Sequence, residues 1–330
     1  MKILGMGNAL VDIMTELPDD CLLEELDLRK SSMQLVDKGF SNHVLEKIQP
    51  LKKSEISGGS AANTICGLAA MGIQTAFIGK VGRDRLGEIF EKDLIRNGIH
   101  PMLQYSDNET GHVLALVSPD SERTFATHLG AAVELEPDDL NSSMFQGYTH
   151  FYIEGYLVQH HELIRRAVEL AKENSLDVIL DLASFNVVED NLNFLRFLVK
   201  EYADIVFANA DEARVFTNGK NPEDALNEIA KDCWIVVVKM GKDGSMIQNG
   251  KKVYQISACK VNCIDTTGAG DLYAAGFLYG MLNQLDLPIC GEMGSILAGK
   301  VIEVIGGRIP DATWPEIKDR IKNIIYKQLK

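Results

Sequence analysis

The sequence predicts a doubly wound α/β fold: a mostly parallel sheet with helices on both faces, plus a small β-sheet lid. Two observations carry the core. From about Thr149 onward, short β-branched runs alternate with longer amphipathic stretches, and the runs are apolar almost throughout. Strands buried on both faces and joined by right-handed helical crossovers read this way. In order, HFYIEG is a strand and His161 to Glu173 a helix. DVILDL is a strand, Leu192 to Tyr202 a helix, DIVFAN a strand, Pro222 to Lys231 a helix, and WIVVVKM a strand. The third observation is where this rhythm breaks. Residues 13–43 and 101–127 carry strand-like pieces, SSMQLVD, HVLALVS and RTFATHL, with a turn signal at Ser118-Pro119-Asp120 and no long helix between the last two. These segments are expected to form a discontinuous lid. Residues 1–12, 44–100 and 128–330 are expected to form the core, and an extra sheet edge without function is the alternative for the lid.

Composition bounds the function. The chain has 330 residues, 46% hydrophobic and 24% charged, enough to bury a full core in an ordinary globular protein. Its 33 basic and 47 acidic residues give a net charge of −14. Such a field repels polyphosphate backbones, so nucleic acid is not an expected partner. A small anion would have to be held by local devices such as backbone amides at a helix start. The six cysteines form no C-x-x-C pair and no zinc spacing, which suits reduced thiols. The apolar N-terminal run is interrupted by Asp12 and lacks a cleavage site, and the uncharged stretch Leu272 to Leu285 is 14 residues long, too short to span a bilayer. A cytoplasmic location without membrane contact is expected.

Glycine-rich bends mark the candidate site. Asp265-Thr266-Thr267-Gly268-Ala269-Gly270-Asp271 runs into LYAAGFLYGML, a helix of buried character. Gly268, Ala269 and Gly270 allow a tight bend that points successive N–H groups outward at a helix start, which makes an anion hole. Asp271 falls in the first turn beside it, where the helix dipole should hold it ionised; taken alone it could equally be a capping acid. Ser57-Gly58-Gly59-Ser60-Ala61-Ala62-Asn63 is a second bend feeding a small-residue helix. There Gly58 and Gly59 admit a ligand to the backbone, and Asn63 offers both donor and acceptor; a tight strand-to-helix connection is the alternative. The first strand ends in GNALVD. A dinucleotide fingerprint fails because its third glycine would fall at Leu10, and a nicotinamide oxidoreductase is correspondingly disfavoured. Asn8 and Asp12 are instead placed at a strand end where open α/β sheets bind ligands.

Asn209-Ala210-Asp211-Glu212 and Lys239-Met240-Gly241-Lys242-Asp243-Gly244 follow later strands and should face the same edge. Glu212 is a candidate to orient water on Mg²⁺, with helix capping the plain alternative. The P-loop pattern is missing, because Gly79-Lys80, Gly241-Lys242 and Gly299-Lys300 are followed by Val81, Asp243 and Val301. Metalloprotease, hydrolase and protein-kinase motifs are missing too.

Taken together, GNALVD, SGGSAAN, IGKVGRDRLGEIF, SERTFATHLGA, FANADE, VVKMGKDG and DTTGAGDLYAAGFLYG resemble the ribokinase or PfkB superfamily of carbohydrate and nucleoside kinases. The likeness runs from about residue 3 to 310. It implies ATP-dependent transfer of a γ-phosphoryl group to a primary alcohol. Asp271 is then the catalytic base, and Gly268, Ala269 and Gly270 the anion hole. Asn8, Asp12, Gly58, Gly59 and Asn63 would contact the acceptor. Asn209, Lys239, Gly241 and Gly244 would lie along the nucleotide, with Glu212 near Mg²⁺. K⁺ is implied beside Asp265 and the Thr267 carbonyl, although the segment from Val301 to Pro310 departs from the family pattern. SGGSAAN, SERTFATHLGA and YIEGY look most like bacterial adenosine-kinase-like members. Adenosine is therefore the expected acceptor, with ribose or fructose next and a non-catalytic sensor third. Leu10, Leu35, Phe151 and Tyr152 are candidate apolar walls for a base, and core packing explains all four equally well. A monomer and a homodimer are both compatible with the sequence.

Overall fold

The computed structural model describes residues 1–120 and 122–328. Its strands, in chain order, begin with β1 (Lys2–Met6), β2 (Leu10–Glu16), β3 (Met33–Leu35), β4 (Lys53–Gly58) and β5 (Gln74–Gly82). They continue with β6 (His100–Ser106), β7 (Gly111–Val117), β8 (Arg123–His128), β9 (His150–Glu154) and β10 (Asp177–Asp181), and end with β11 (Ala203–Asn209), β12 (Ile235–Lys239), β13 (Ser245–Asn249) and β14 (Lys252–Ile256).

Nine strands form one sheet in the order β14-β13-β12-β11-β10-β9-β1-β5-β6, parallel from β12 to β6, with β13 and β14 closing it as an antiparallel edge. The chain runs outward from β1 through β5 to β6 and later builds the other half from β9. The strand order therefore reverses beside β1, and open α/β sheets bind ligands at such a switch point, beyond the carboxyl ends of the strands. Alternate side chains feed two apolar layers. Phe77, Tyr152, Ile179 and Phe207 pack under the helices Ser60–Ala70, Ala269–Leu282 and Leu287–Val301; Phe151, Ile153, Leu180 and Val206 pack under His161–Glu173 and Leu192–Glu201. Phe151 is thus core, stacked edge-on against Phe145, and not a ligand wall. Among the described residues no helix is long and apolar enough to cross a membrane.

The second sheet has five strands in the order β3-β8-β7-β2-β4. Its membership moves two expected boundaries. Lys53–Gly58, expected in the core, pairs antiparallel with β2 in the small sheet, and residues 101–106, expected in the lid, pair parallel with β5 in the large one. Residues 13–43 are also less strand-like than expected: beyond the end of β2 at Glu16 only Met33–Leu35 is extended, whereas Lys38–Lys47 is a helix capped by Asp37 through the Phe40 amide. Period-2 alternation separates the faces of this sheet. Val11, Ile13, Leu114, Leu116 and Ala126 are buried, while Asp12, Met14, Val113 and Phe125 on the opposite face keep partial exposure, with Ile56 and Leu35 more open still.

Candidate active site

The bend before the helix Ala269–Leu282 is shaped by Gly268, whose φ of +74° lies in the left-handed region. A Cβ there would lie 2.7 Å from the Gly307 Cα, so the bend also packs tightly on the segment after Leu287–Val301. Ala269 N–H donates back to the Thr266 carbonyl, and helical bonding starts with Leu272 N–H to the Gly268 carbonyl (2.8 Å). Between them the amides of Gly270 and Asp271 have no acceptor among the described residues, the normal state of a helix first turn and a ready anion site.

Asp271 is clamped from the neighbouring helix: its Oδ1 accepts from Ser60 Oγ (2.7 Å) and its Oδ2 from Asn63 Nδ2 (3.0 Å). Asn63 is spent on both sides, because its Oδ1 accepts from Arg308 Nε (2.9 Å), and Arg308 also donates to Ser57 Oγ (2.8 Å). Across the sheet, Glu154 and Asp181 are lateral neighbours at the ends of β9 and β10, as Asn209 and Lys239 are on β11 and β12. Lys239 Nζ pairs with Asp181 (2.9 Å) and stands close to Gly270, where a Cβ would come within 3.2 Å of it. Tyr152, fully buried, donates to Asp181 (3.3 Å) and accepts from Thr64 Oγ1 (3.2 Å), whose hydroxyl also lies 3.2 Å from the Asp271 carbonyl.

The structure thus gathers Asp271, the Gly268–Gly270 bend, Asn63 and Lys239 at one place. Gly59, with φ +96°, precedes the helix Ser60–Ala70, and Gly58 lies against the Asp12 carboxylate, where any Cβ would collide. Asn8 is drawn inward, its N–H (2.8 Å) and Nδ2 (3.0 Å) both donating to Glu154 Oε1. Asn209 and Glu212 form a reciprocal capping box at the start of Ala210–Phe216, which is the plain alternative for that pair. Gly241 and Gly244 shape the turn that leads from β12 to β13.

Four residues were missed by the sequence reading: Glu154, Asp181, Arg308 and Arg123. Only Arg123 carried a usable signal, as the one Arg or Lys in the strand RTFATH. It is 7% exposed, ion-paired with Asp265, and its Nε and Nη2 have no hydrogen-bond partner among the described residues. Asp265 in turn accepts from the amides of Thr267 (2.9 Å) and Gly306 (2.6 Å).

Crowding of acids dominates the electrostatics. Burial pushes Asp271 up to about 6, and Asp12, Glu154 and Glu212 each up to about 7. Desolvation therefore outweighs the helix dipole that was expected to keep Asp271 at an ordinary carboxylate value. Burial alone would lower Lys239, but Asp181 and Glu212 reverse the sign and raise it. A carboxylate raised in the folded state favours folding while protonated, and that contribution disappears as pH climbs from its unfolded value to its folded one. The ligand-free protein should therefore lose stability between about pH 4 and 7 through these four groups, against an opposite contribution below about pH 6.5 from His112 and His150, which burial holds low. Melting temperatures across this range should fall with rising pH, and a steady rise would contradict the site electrostatics.

A depression of about 380 Å³ at the opposite sheet edge, lined by Lys172, Lys200, Lys231 and Trp234, lacks this convergence. Its lysines are paired with Asp204, Glu201 and Glu228.

Residues 38–314 match the model of the pfkB family of carbohydrate kinases. The chain belongs to that family. It is accordingly a phosphotransferase acting on a sugar or nucleoside hydroxyl, as its order of motifs implied. A probable sugar kinase from Rhizobium etli superposes with a TM-score of 0.88 at 34% identity, over 97% of this chain and 98% of that one. The adenosine kinase of Sinorhizobium meliloti superposes with a TM-score of 0.85, also at 34% identity, over 96% and 98%. The 5-dehydro-2-deoxygluconokinase of Bacillus licheniformis is 28% identical over 315 residues, 90% of this chain and 96% of its own. All three are named kinases, and their names differ in the acceptor.

Proposed function

We propose that this kinase transfers the γ-phosphoryl group of ATP to the primary hydroxyl of adenosine. The observation that carries the reaction is the convergence, at one helix start, of two free amides and the clamped carboxylate of Asp271. Those donors suit a phosphoryl group, whose charge they meet without reorganising. Asp271, held by Ser60 and Asn63, takes the proton from the alcohol as its oxygen forms the new bond to phosphorus. The bond from phosphorus to the bridging oxygen breaks and ADP departs with the electron pair. A loose transition state asks little of a base until late, and a pKa of about 6 leaves Asp271 mostly ionised yet more basic than an ordinary aspartate.

Glu212 and Asp181 suit Mg²⁺ that arrives with the nucleotide. They are buried acids, Asp181 ion-paired with Lys239, and no group of three or more candidate ligands exists among the described residues. Held through water, the ion would neutralise charge between the phosphates. Asn209, Gly241 and Gly244 line the strand ends beside Lys239, on the side we assign to the nucleotide.

The acceptor assignment rests on the small sheet. The face bearing Asp12 also bears Met14, Ile56, Val113 and Phe125, an apolar surface suited to a flat base. Asp12 with the Gly58–Gly59 backbone suits vicinal hydroxyls. A gluconate-type acceptor needs a spare cation for its carboxylate, whereas Arg308 is committed to Asn63 and Ser57, and Lys239 to Asp181. ADP release measured with adenosine, inosine, ribose, fructose and a gluconate should be fastest, per unit kcat/KM, with adenosine. Faster turnover of any sugar would reverse the assignment, and no acceptor-dependent ADP would favour a non-catalytic sensor.

A further inference from the structure

We propose that Arg123 is the permanent cation of Asp265, so that this kinase needs no monovalent metal ion. The inference rests on the phosphoryl-transfer reading of the same site and concerns what holds its anion hole in shape.

The family resemblance implies K⁺ against Asp265 and the Thr267 carbonyl. The carboxylate does not fit that ion. Its Oδ1 accepts from the Thr267 amide (2.9 Å), and its Oδ2 accepts from the Gly306 amide (2.6 Å) and is ion-paired with Arg123 Nη1. Both side chains of the pair are 6% exposed. An ion seated on this carboxylate would press against a guanidinium already there, in a place with little water to screen the two like charges. The guanidinium is part of the chain, so this neutralisation draws on no ion from solution.

The pair also does the structural task that a bound ion would do. Asp265 ties the Asp-Thr-Thr bend to Gly306, and the next residue, Gly307, abuts Gly268 at the anion hole. Leaving Asp265 buried and unneutralised would strain that junction. Arg123 Nη1 also lies 3.4 Å from Thr267 Oγ1, so one guanidinium spans both ends of the bend. Because Arg123 stands on β8 of the small sheet, the cation is delivered by the chain itself, not by solution.

The test uses the full chain with ATP and Mg²⁺. KCl is raised from zero to about 100 mM against tetramethylammonium chloride at constant ionic strength. For the unaltered chain kcat/KM should stay within about twofold, and its melting temperature without ligands should show no K⁺-specific shift. Arg123→Ala should lose activity by about two orders of magnitude and regain at least part of it with K⁺ or guanidinium, while Arg123→Lys stays indifferent to K⁺. A saturable K⁺ activation or K⁺-specific stabilisation of the unaltered chain would overturn the assignment. So would an Arg123→Ala enzyme of normal activity, or one that no cation restores. If no acceptor yields ADP the kinase reading fails, and the K⁺ effect on melting still decides the role of Arg123. The same arm decides it if the alanine variant does not fold.

Discussion

Asp271→Asn should lower kcat by about two orders of magnitude or more while leaving ATP and acceptor binding within a few-fold. The amide is nearly isosteric. It can still accept from Ser60 or Asn63 through its one oxygen, so the helix start should keep its shape. What is lost is the proton acceptor and the negative charge. Those matter to the alcohol in the transition state more than in the ground state, so the effect belongs in kcat and not in KM. The residual rate should also lose the acid limb that the Asp271 carboxylate, at about 6, imposes on the unaltered enzyme. Single-turnover kinetics with binding measured by calorimetry would separate the terms. A variant with normal kcat would remove Asp271 from the reaction.

Gly268→Ala should be nearly as damaging, for a different reason. At φ +74° a side chain costs about 1–2 kcal/mol by itself, and here the new Cβ would also meet the Gly307 backbone at 2.7–2.9 Å. Backbone cannot rotate away as a side chain can. The bend and the segment at Gly306–Gly307 must separate, which misaligns the Gly270 and Asp271 amides, and kcat should fall at least tenfold, with positioning lost at the phosphoryl group. Gly72→Ala is the matched control. Gly72 has φ +91° but nothing within 4 Å of a new Cβ, so it should cost stability alone and leave kcat unchanged. Equal kinetic losses in the two variants would mean that the Gly268 effect is only a folding effect.

The parts of this molecule legible in the sequence are those whose signals are local. Helix His161–Glu173 and the strands around it announce themselves by period, and the Gly268–Gly270 bend by glycine followed by a buried helix. Lys53–Gly58 was not legible, because KSEISG is polar enough to pass for a loop, and only its antiparallel pairing with β2 makes it a strand. Residues 101–106 were misplaced because an edge strand and a lid strand have the same alternation; pairing with β5 is a tertiary fact. Glu154 and Asp181 looked like ordinary strand ends. Their meaning comes from lateral register across β9 and β10, which no single segment encodes. Asn63 was read as a free amide, whereas Arg308, 245 residues away in sequence, uses one side of it. Glu212 shows the converse limit, since the local motif Asn-x-x-Glu was enough to specify its capping geometry.

The most direct measurement is a crystal structure of the Asp271→Asn protein with ATP, Mg²⁺ and adenosine bound together. The account predicts γ-phosphoryl oxygens on the amides of residues 270 and 271, and the primary hydroxyl within about 3 Å of the side chain at 271, in line with phosphorus. Reactants bound away from that helix start, or a residue 271 still turned to Ser60 and Asn63 with no ligand atom near it, would contradict it.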